Sequence, residues 1–426
     1  MTGGLQSYPT LKSYQLGVSS HHRCGIFFAW AMHVLNLSCP PIQCVRIGII
    51  GLGNRGFDTL KRLVVVEGVR IAALCDLSRS NLDRATGFLE ERGIERPILK
   101  HHWTDICRSQ DIDLVMVCTD WQSHTLIAVE AMRNGKHVAI EVPAAMTVDD
   151  CWALVDTAES TRRHCVMLEN CCYDPFALMT LNMAHLNLLG DITHCEGAYI
   201  HDLRSQFNAD AAHGGYHKRW MSKYTEQHKG NPYPTHGLGP VCQLLDIHRG
   251  DRLASLVSMS SDIRYEQRGH DIAENHINNT ILRTMKGRSV LIQYDVTTPR
   301  PYSRSQTVCG TTGFVQKYPV MTICLGDGQR TFVGDEETAP LIDEYMHPAT
   351  AAIRAEGVRL GVPNMMNYIM DVRLIEALRL GKPLDMDVYD AAEWSCLTEL
   401  TQKSASSGGV PVEVPDFTRG HWKDIE

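Results

Sequence analysis

A short apolar run, Val45-Arg46-Ile47-Gly48-Ile49-Ile50, passes without a break into Gly51-Leu52-Gly53-Asn54-Arg55-Gly56 and then into a helical stretch ending at Glu67. Strand, glycine loop and helix in that order form the opening turn of a dinucleotide-binding unit, and no other segment restricts the fold as strongly. Gly51 permits the tight turn, Gly53 lets the backbone approach a pyrophosphate, and Gly56 lets helix and strand pack closely. A second strand, Val69 to Cys75, runs into Asp76, twenty-five positions after Gly51. A carboxylate there binds ribose hydroxyls and repels a 2′-phosphate, so the expected cofactor is NAD rather than NADP. Arg79 stands close enough to weaken that preference.

Helical patterns over Ser80–Arg92, Ser123–Asn134 and Val148–Ser160 alternate with apolar strands over Leu114–Thr119, His137–Glu141 and Cys165–Glu169. Such alternation predicts an α/β domain with a doubly wound parallel sheet, whose ligands sit beyond the carboxyl ends of the strands. Those ends are Thr119-Asp120-Trp121-Gln122-Ser123-His124, Glu141-Val142-Pro143 and Glu169-Asn170. Further along, Ala254–Met259, Asn278–Met285, Ser289–Thr297 and Thr331–Val333 follow one another as strands with turns. That succession predicts a second, α+β domain with an open, mainly antiparallel sheet, one face toward the nicotinamide and the other a candidate homodimer surface. Tyr368–Leu380 reads as a helix stopped by Gly381 ahead of Pro383. The expected division is a leader or disordered extension over 1–44, an NAD-binding domain over 45–170, a substrate domain over 171–403, and a tail over 404–426 lying on the surface.

With 41 basic against 49 acidic residues among 426, and no basic run to follow a phosphate backbone, nucleic acid is excluded as a partner. The longest apolar run, Ile26 to Leu37, is too short to span a bilayer and lacks a clean export signal. Met32 is an alternative start, and the compartment, cytoplasmic or exported, stays open. Fifteen cysteines without paired spacing and twenty histidines without H-E-x-x-H spacing give no disulfide framework and no metal site. Cys171-Cys172 reads as packing at the domain seam.

The glycine loop and strand ends together resemble the glucose-fructose and inositol oxidoreductase superfamily across nearly everything after Val45. Sugar dehydrogenases of that group end the strand in Glu-Lys-Pro, whereas this chain has Glu141-Val142-Pro143. Without that lysine a simple sugar dehydrogenase is the second reading, and a non-enzymatic NAD-binding regulator the third. The second half carries Tyr199-Ile200-His201-Asp202-Leu203-Arg204, Asn231-Pro232-Tyr233-Pro234-Thr235-His236-Gly237-Leu238-Gly239-Pro240, Thr297-Thr298-Pro299-Arg300-Pro301-Tyr302-Ser303-Arg304 and Pro383-Leu384-Asp385-Met386-Asp387-Val388-Tyr389-Asp390. These blocks resemble signature stretches of glycoside hydrolase family 109, typified by α-N-acetylgalactosaminidase.

The resemblance implies a hydrolase for terminal, α-linked N-acetylgalactosaminides that oxidises C3 of the sugar with NAD, eliminates the aglycone after C2 loses its proton, adds water at C1 and returns the hydride. It implies catalytic roles for His236, Tyr233 and Tyr302, with His236 the base at the oxidised position. Substrate contacts fall on Tyr199, Arg204, Tyr233, His236 and Tyr302. Cofactor contacts fall on Gly51, Gly53, Asn54, Arg55, Gly56, Asp76, Trp121, His124, Glu141, Val142, Asn170 and Tyr233. Two departures bear on substrate range. Trp220 is followed by Met221 where the family commonly has arginine, leaving Arg219 as a shifted substitute, and the approach to the last helix reads Gly361-Val362-Pro363-Asn364-Met365-Met366-Asn367-Tyr368.

Overall fold

The computed structural model describes residues 33–209, 220–261, 263–267, 270–275 and 277–424. Its first half holds β1 (Val45–Ile50), α1 (Asn54–Leu63), β2 (Val69–Cys75), α2 (Arg79–Glu90), β3 (Ile98–Lys100), α3 (Trp103–Arg108), β4 (Leu114–Val117), α4 (His124–Arg133), β5 (His137–Ile140), α5 (Val148–Thr161) and β6 (Cys165–Met167). The six strands lie in the order β3-β2-β1-β4-β5-β6, all parallel. Strands β4 and β5 are buried along their whole length, as a sheet covered on both faces requires. The order reverses between β1 and β4, which opens the ligand crevice at the carboxyl ends of those strands. Neither β3 nor α3 was predicted, since three and six residues are too few to show a period.

The second half runs α6 (Pro175–His185), β7 (Ile192–Ile200), α7 (Arg204–Asn208), α8 (Trp220–Gln227), α9 (Thr235–Leu244), β8 (Leu253–Ser260), β9 (Ile263–Gln267), β10 (His270–Asn275), β11 (Asn278–Thr284), β12 (Ser289–Asp295), β13 (Ser303–Gly310), β14 (Phe314–Gln316), β15 (Thr322–Leu325) and β16 (Arg330–Val333). It ends with α10 (Asp335–Glu344), α11 (Pro348–Leu360), α12 (Met365–Leu380), α13 (Val388–Ser406) and β17 (Val412–Glu413). Nine strands form one sheet, β16-β15-β14-β13-β7-β12-β11-β8-β17, beside a β9-β10 hairpin. The β7–β12 pair is parallel and every other neighbour is antiparallel. Strand β11 alternates buried and exposed along its length, the pattern of a sheet with one covered face. Helix α13 ties the halves together: Ser395 Oγ accepts from the Ala144 N–H at 3.1 Å and Glu399 Oε2 from the Val148 N–H at 2.6 Å.

Both predicted terminal boundaries need correction. Residues 33–44 are part of the fold: Val34, Leu35 and Leu37 are buried, the Val34 N–H donates to Tyr389 Oη, and the Ile42 N–H to the Leu378 carbonyl. The rest of the expected leader, 1–32, lies outside the described residues. At the other end Ser404 is still helical, β17 joins the sheet edge beside β8, and Phe417 is fully buried against Trp152 with ring centroids 4.7 Å apart. Scattered apolar residues carry these segments into the core, without a period that a sequence reading can detect.

Buried histidines make stability depend on pH in both directions. His248 Nε2 lies 2.9 Å from Glu393 Oε2, both fully buried. Burial opposes the charge on His248, but Glu393, Asp390 and Asp387 outweigh it and push the group up to about 9. The folded value exceeds the unfolded one of about 6.5, so this contribution, on the order of 3 kcal/mol, is complete below that pH and is lost as pH rises through about 9. His137 and His164, with ring centroids 5.0 Å apart, are pulled by burial down to about 3 and about 4. Their folded forms bind protons less readily than the unfolded chain, so stability falls as pH drops below about 6.5 toward those values. Thermal unfolding is expected to give its highest Tm near about pH 6.5 and to decline on either side; a Tm still rising at about pH 9 would contradict the role given to His248.

Candidate active site

The glycine loop fits a dinucleotide by its sterics. Gly51 has φ +89, and a Cβ on Gly56 would meet the Gly51 carbonyl oxygen at 1.8 Å, so both positions exclude side chains. A Cβ on Gly53 would meet nothing within 4 Å, which leaves open space above the loop that a pyrophosphate could occupy. Asp76 is held at the end of β2 by the N–H groups of Leu52 at 2.6 Å and Ser78 at 2.7 Å. Arg79 turns away to Asp83, 2.9 Å distant on the surface, so it does not offset that carboxylate. Arg84, which was not anticipated, braces the loop by donating to the Leu52 carbonyl at 2.7 Å.

The other strand ends close the crevice. Arg55 Nε sits 3.6 Å from Glu141 Oε2. Trp121 Nε1 donates to the Val142 carbonyl at 3.1 Å, and the Trp121 ring stacks on Tyr233 with centroids 5.6 Å apart. Asn170 Nδ2 donates to Asn367 Oδ1 at 2.7 Å, so the altered 361–368 approach reaches the cleft through Asn367. His124 is different from the expectation. It is fully buried between the two strand ends, with Nδ1 2.8 Å from the Pro143 carbonyl and Nε2 3.2 Å from that of Thr119, so it packs under the cleft rather than facing it.

Tyr233 and His236 reach the same place by a glycine crossing. A Cβ on Gly197 in β7 would meet the Gly237 carbonyl oxygen at 2.0 Å, and one on Gly237 would meet Ala198 N at 2.6 Å. Only glycine at both positions lets α9 lie directly on β7. Tyr199, Tyr233 and His236 then form a cluster, with centroids 4.8 Å apart for Tyr199–Tyr233, 5.4 Å for Tyr199–His236 and 4.8 Å for Tyr233–His236.

Below that cluster lies a residue the sequence reading placed at a strand end and gave no role. Glu169 is fully buried, and its Oε1 accepts from His236 Nδ1 at 2.6 Å and from the Cys171 N–H at 3.0 Å. Burial pushes Glu169 up, but His236 overcomes this and holds the carboxyl below its usual value. Burial pulls His236 down to about 4 against the opposing pull of Glu169. At neutral pH the pair is therefore a carboxylate and a neutral imidazole with Nδ1 protonated, which leaves Nε2 as an acceptor. Burial drives Tyr233 well above the ordinary phenol value, so it serves as a neutral hydroxyl. Glu169, Cys171 and His236 also place a ligand atom each within 4.8 Å of one another, a donor set open to a soft cation, although Arg304 acts on all three and opposes positive charge there.

The arginine seen against this cluster is Arg304. Arg204 makes a two-point pair with Asp202, at 2.8 and 2.7 Å. The Arg304 guanidinium lies 4.9 Å from the Tyr199 ring centroid, and its Nε donates to Tyr302 Oη at 2.6 Å. Met221 is buried beside Trp220, whose ring is 5.0 Å from that of Trp121. Arg219 lies outside the described residues. Cys171 and Cys172 are buried thiols, which burial holds well above their ordinary value.

Residues 173–424 match the family described as glycosyl hydrolase 109, C-terminal domain, and residues 45–169 match the oxidoreductase family with an NAD-binding Rossmann fold. The chain belongs to glycoside hydrolase family 109. It is 55% identical over 410 residues to glycosyl hydrolase family 109 protein 2 of Phocaeicola vulgatus, covering 92% of this chain and 99% of that one. It is equally 55% identical over 407 residues to the alpha-N-acetylgalactosaminidase of Bacteroides fragilis, covering 92% and 96%. Among solved structures, levoglucosan dehydrogenase in complex with NADH aligns with TM-score 0.66 at 16% identity, over 88% of this chain and all of that one. An inositol dehydrogenase homolog with NAD+ from Azotobacter vinelandii aligns at 0.66 and 18%, over 89% and 100%. The family 109 chain is thus a glycosidase built on an NAD-binding Rossmann domain. Among its described residues no helix is long and apolar enough to cross a membrane.

Proposed function

We propose that this chain hydrolyses terminal α-linked N-acetylgalactosaminides by oxidation, elimination and addition, with NAD recycled in each turnover. The observation that carries the reading is the Glu169–His236 pair, a buried base at 2.6 Å joined through Tyr233 and Trp121 to the cofactor cleft. Bound NAD supplies reversible hydride transfer at C3 of the sugar. His236 Nε2 takes the proton of the C3 hydroxyl, and the Glu169 carboxylate stabilises the imidazolium that results. Tyr233, kept neutral by burial, donates a hydrogen bond to the sugar, and Tyr199 and Tyr302 line its binding site. The name of the Bacteroides fragilis relative supports the N-acetylgalactosamine specificity. The reading includes a homodimer through the outer face of the nine-stranded sheet, where Met259 and Ile281 are 63% and 60% exposed; sedimentation velocity tests it.

Incubation of the full chain with NAD and 4-nitrophenyl α-N-acetylgalactosaminide in heavy water is expected to release nitrophenol without net NADH and to leave one deuterium at C2 of the sugar. NADH formed in proportion to sugar, with no nitrophenol, would establish the dehydrogenase reading instead. Bound NAD with neither product would establish the regulator.

A further inference from the structure

The proposed reaction moves a second proton, from C2, and His236 is already committed to the C3 hydroxyl. Tyr233 and His236 are both buried, whereas Tyr302 is 43% exposed and borders the same cluster through Arg304. The Arg304 Nε–H donates to Tyr302 Oη at 2.6 Å, and the guanidinium carbon lies 5.3 Å from the Tyr302 ring centroid. Arg304 Nη1 is buried with no hydrogen-bond partner, and among the described residues no carboxylate pairs with this guanidinium. Its positive charge acts on Cys171, on Tyr302 and Tyr199, and on Glu169, and through the hydrogen bond to Oη it makes the Tyr302 phenolate less costly than burial alone would. The other groups facing Tyr302 are the His201 ring at 5.2 Å and the Tyr318 ring at 5.9 Å. Cys171 and Asp174 also act on it through space, and Lys317 Nζ takes up the Asp174 charge at 2.7 Å. Burial raises Tyr302 above the ordinary phenol value, and Arg304 is the group that opposes this most.

We propose that Arg304 is the positioning residue of the elimination step, holding Tyr302 Oη by its Nε–H and stabilising the phenolate form that accepts the C2 proton. The inference rests on the hydrolase reading above. As the proton passes from C2 to Oη, the C2–H electron pair becomes the C1–C2 double bond, and the C1–O bond breaks with its pair leaving on the aglycone oxygen. In the return step the oxygen of water adds to C1 while its proton neutralises the departed aglycone oxygen, and Tyr302, its Oη proton exchanged with solvent, protonates C2, so this half of the cycle has no net oxidation.

The test compares the parent with Arg304→Met, Arg304→Lys and Tyr302→Phe, using 4-nitrophenyl α-N-acetylgalactosaminide and NAD, with thermal melting and NAD titration to establish that each variant is folded and loaded. Arg304→Met is expected to lower kcat about 100-fold with little change in KM, and to move the acid limb of the kcat–pH profile upward by about one unit or more. Arg304→Lys, which keeps the charge and loses the fork, falls between. Tyr302→Phe abolishes deuterium entry at C2. Nitrophenol release reports hydrolysis and deuterium entry reports the proton transfer, so the two readings fail separately. Deuterium entry as fast in Arg304→Met as in the parent, or an effect confined to KM, overturns the role of Arg304 and leaves the hydrolase standing. Arg304-dependent deuterium entry into a ketone product without nitrophenol does the reverse.

Discussion

Alanine in place of His236 is expected to reduce nitrophenol release about 1,000-fold or more while NAD remains bound. His236 lies in the first turn of α9 with Nδ1 committed to Glu169, so Nε2 is the atom left to take a proton. Its hydrogen bond goes to Glu169 and not to the glycine loop, which is why cofactor affinity should survive. NAD titration followed by quenching of tryptophan fluorescence separates the two effects, and loss of NAD with loss of activity would place His236 in the cofactor site. The neutral imidazole is the active form, and burial pulls the group down to about 4. Activity limited by His236 should therefore persist across the mildly acidic range and fall only as pH drops through about 4. The Arg304 inference adds a limb at higher pH, and the two are told apart by which variant moves which limb.

Glutamine in place of Glu169 should lower kcat about 100- to 1,000-fold with KM nearly unchanged. The amide oxygen can still accept from His236 and from the Cys171 N–H, so the geometry survives while the charge is lost. The imidazolium formed when His236 takes a proton then has no carboxylate to stabilise it, and the penalty falls on the transition state. Glu169 Oε2 is buried with no hydrogen-bond partner. An NH2 group at that position would be a buried donor without an acceptor, costing about 1–3 kcal/mol of stability. Kinetics paired with thermal melting reads both effects; a variant with unchanged kcat and a lower Tm would reduce Glu169 to a structural role.

Much of the cofactor half was legible because its signals are local. Gly51 needs a positive φ, Gly53 needs open space and Asp76 ends a strand, and each is decided by a few neighbouring residues. The Tyr233–His236 pairing was equally legible from its spacing of three, with the rings 4.8 Å apart. Short elements such as β3 escaped, as did the packed segments at either end, because neither carries a repeating pattern.

By itself the sequence determined the Rossmann unit, the NAD preference and the family, since turn chemistry, strand and helix periods and signature blocks are all written along the chain. Only the tertiary structure decided which charged groups serve the site. Glu169 meets His236 across 67 positions, and α9 can bring them together only because Gly237 lies directly on Gly197. Arg204 and Arg304 each stand two residues from a potential partner, Asp202 and Tyr302. The first is taken up by a carboxylate, while β13, paired with β7, carries the second over Tyr199. Burial and the identity of the opposing group set the chemistry of a charged side chain, and both depend on elements that meet only when the sheet is assembled.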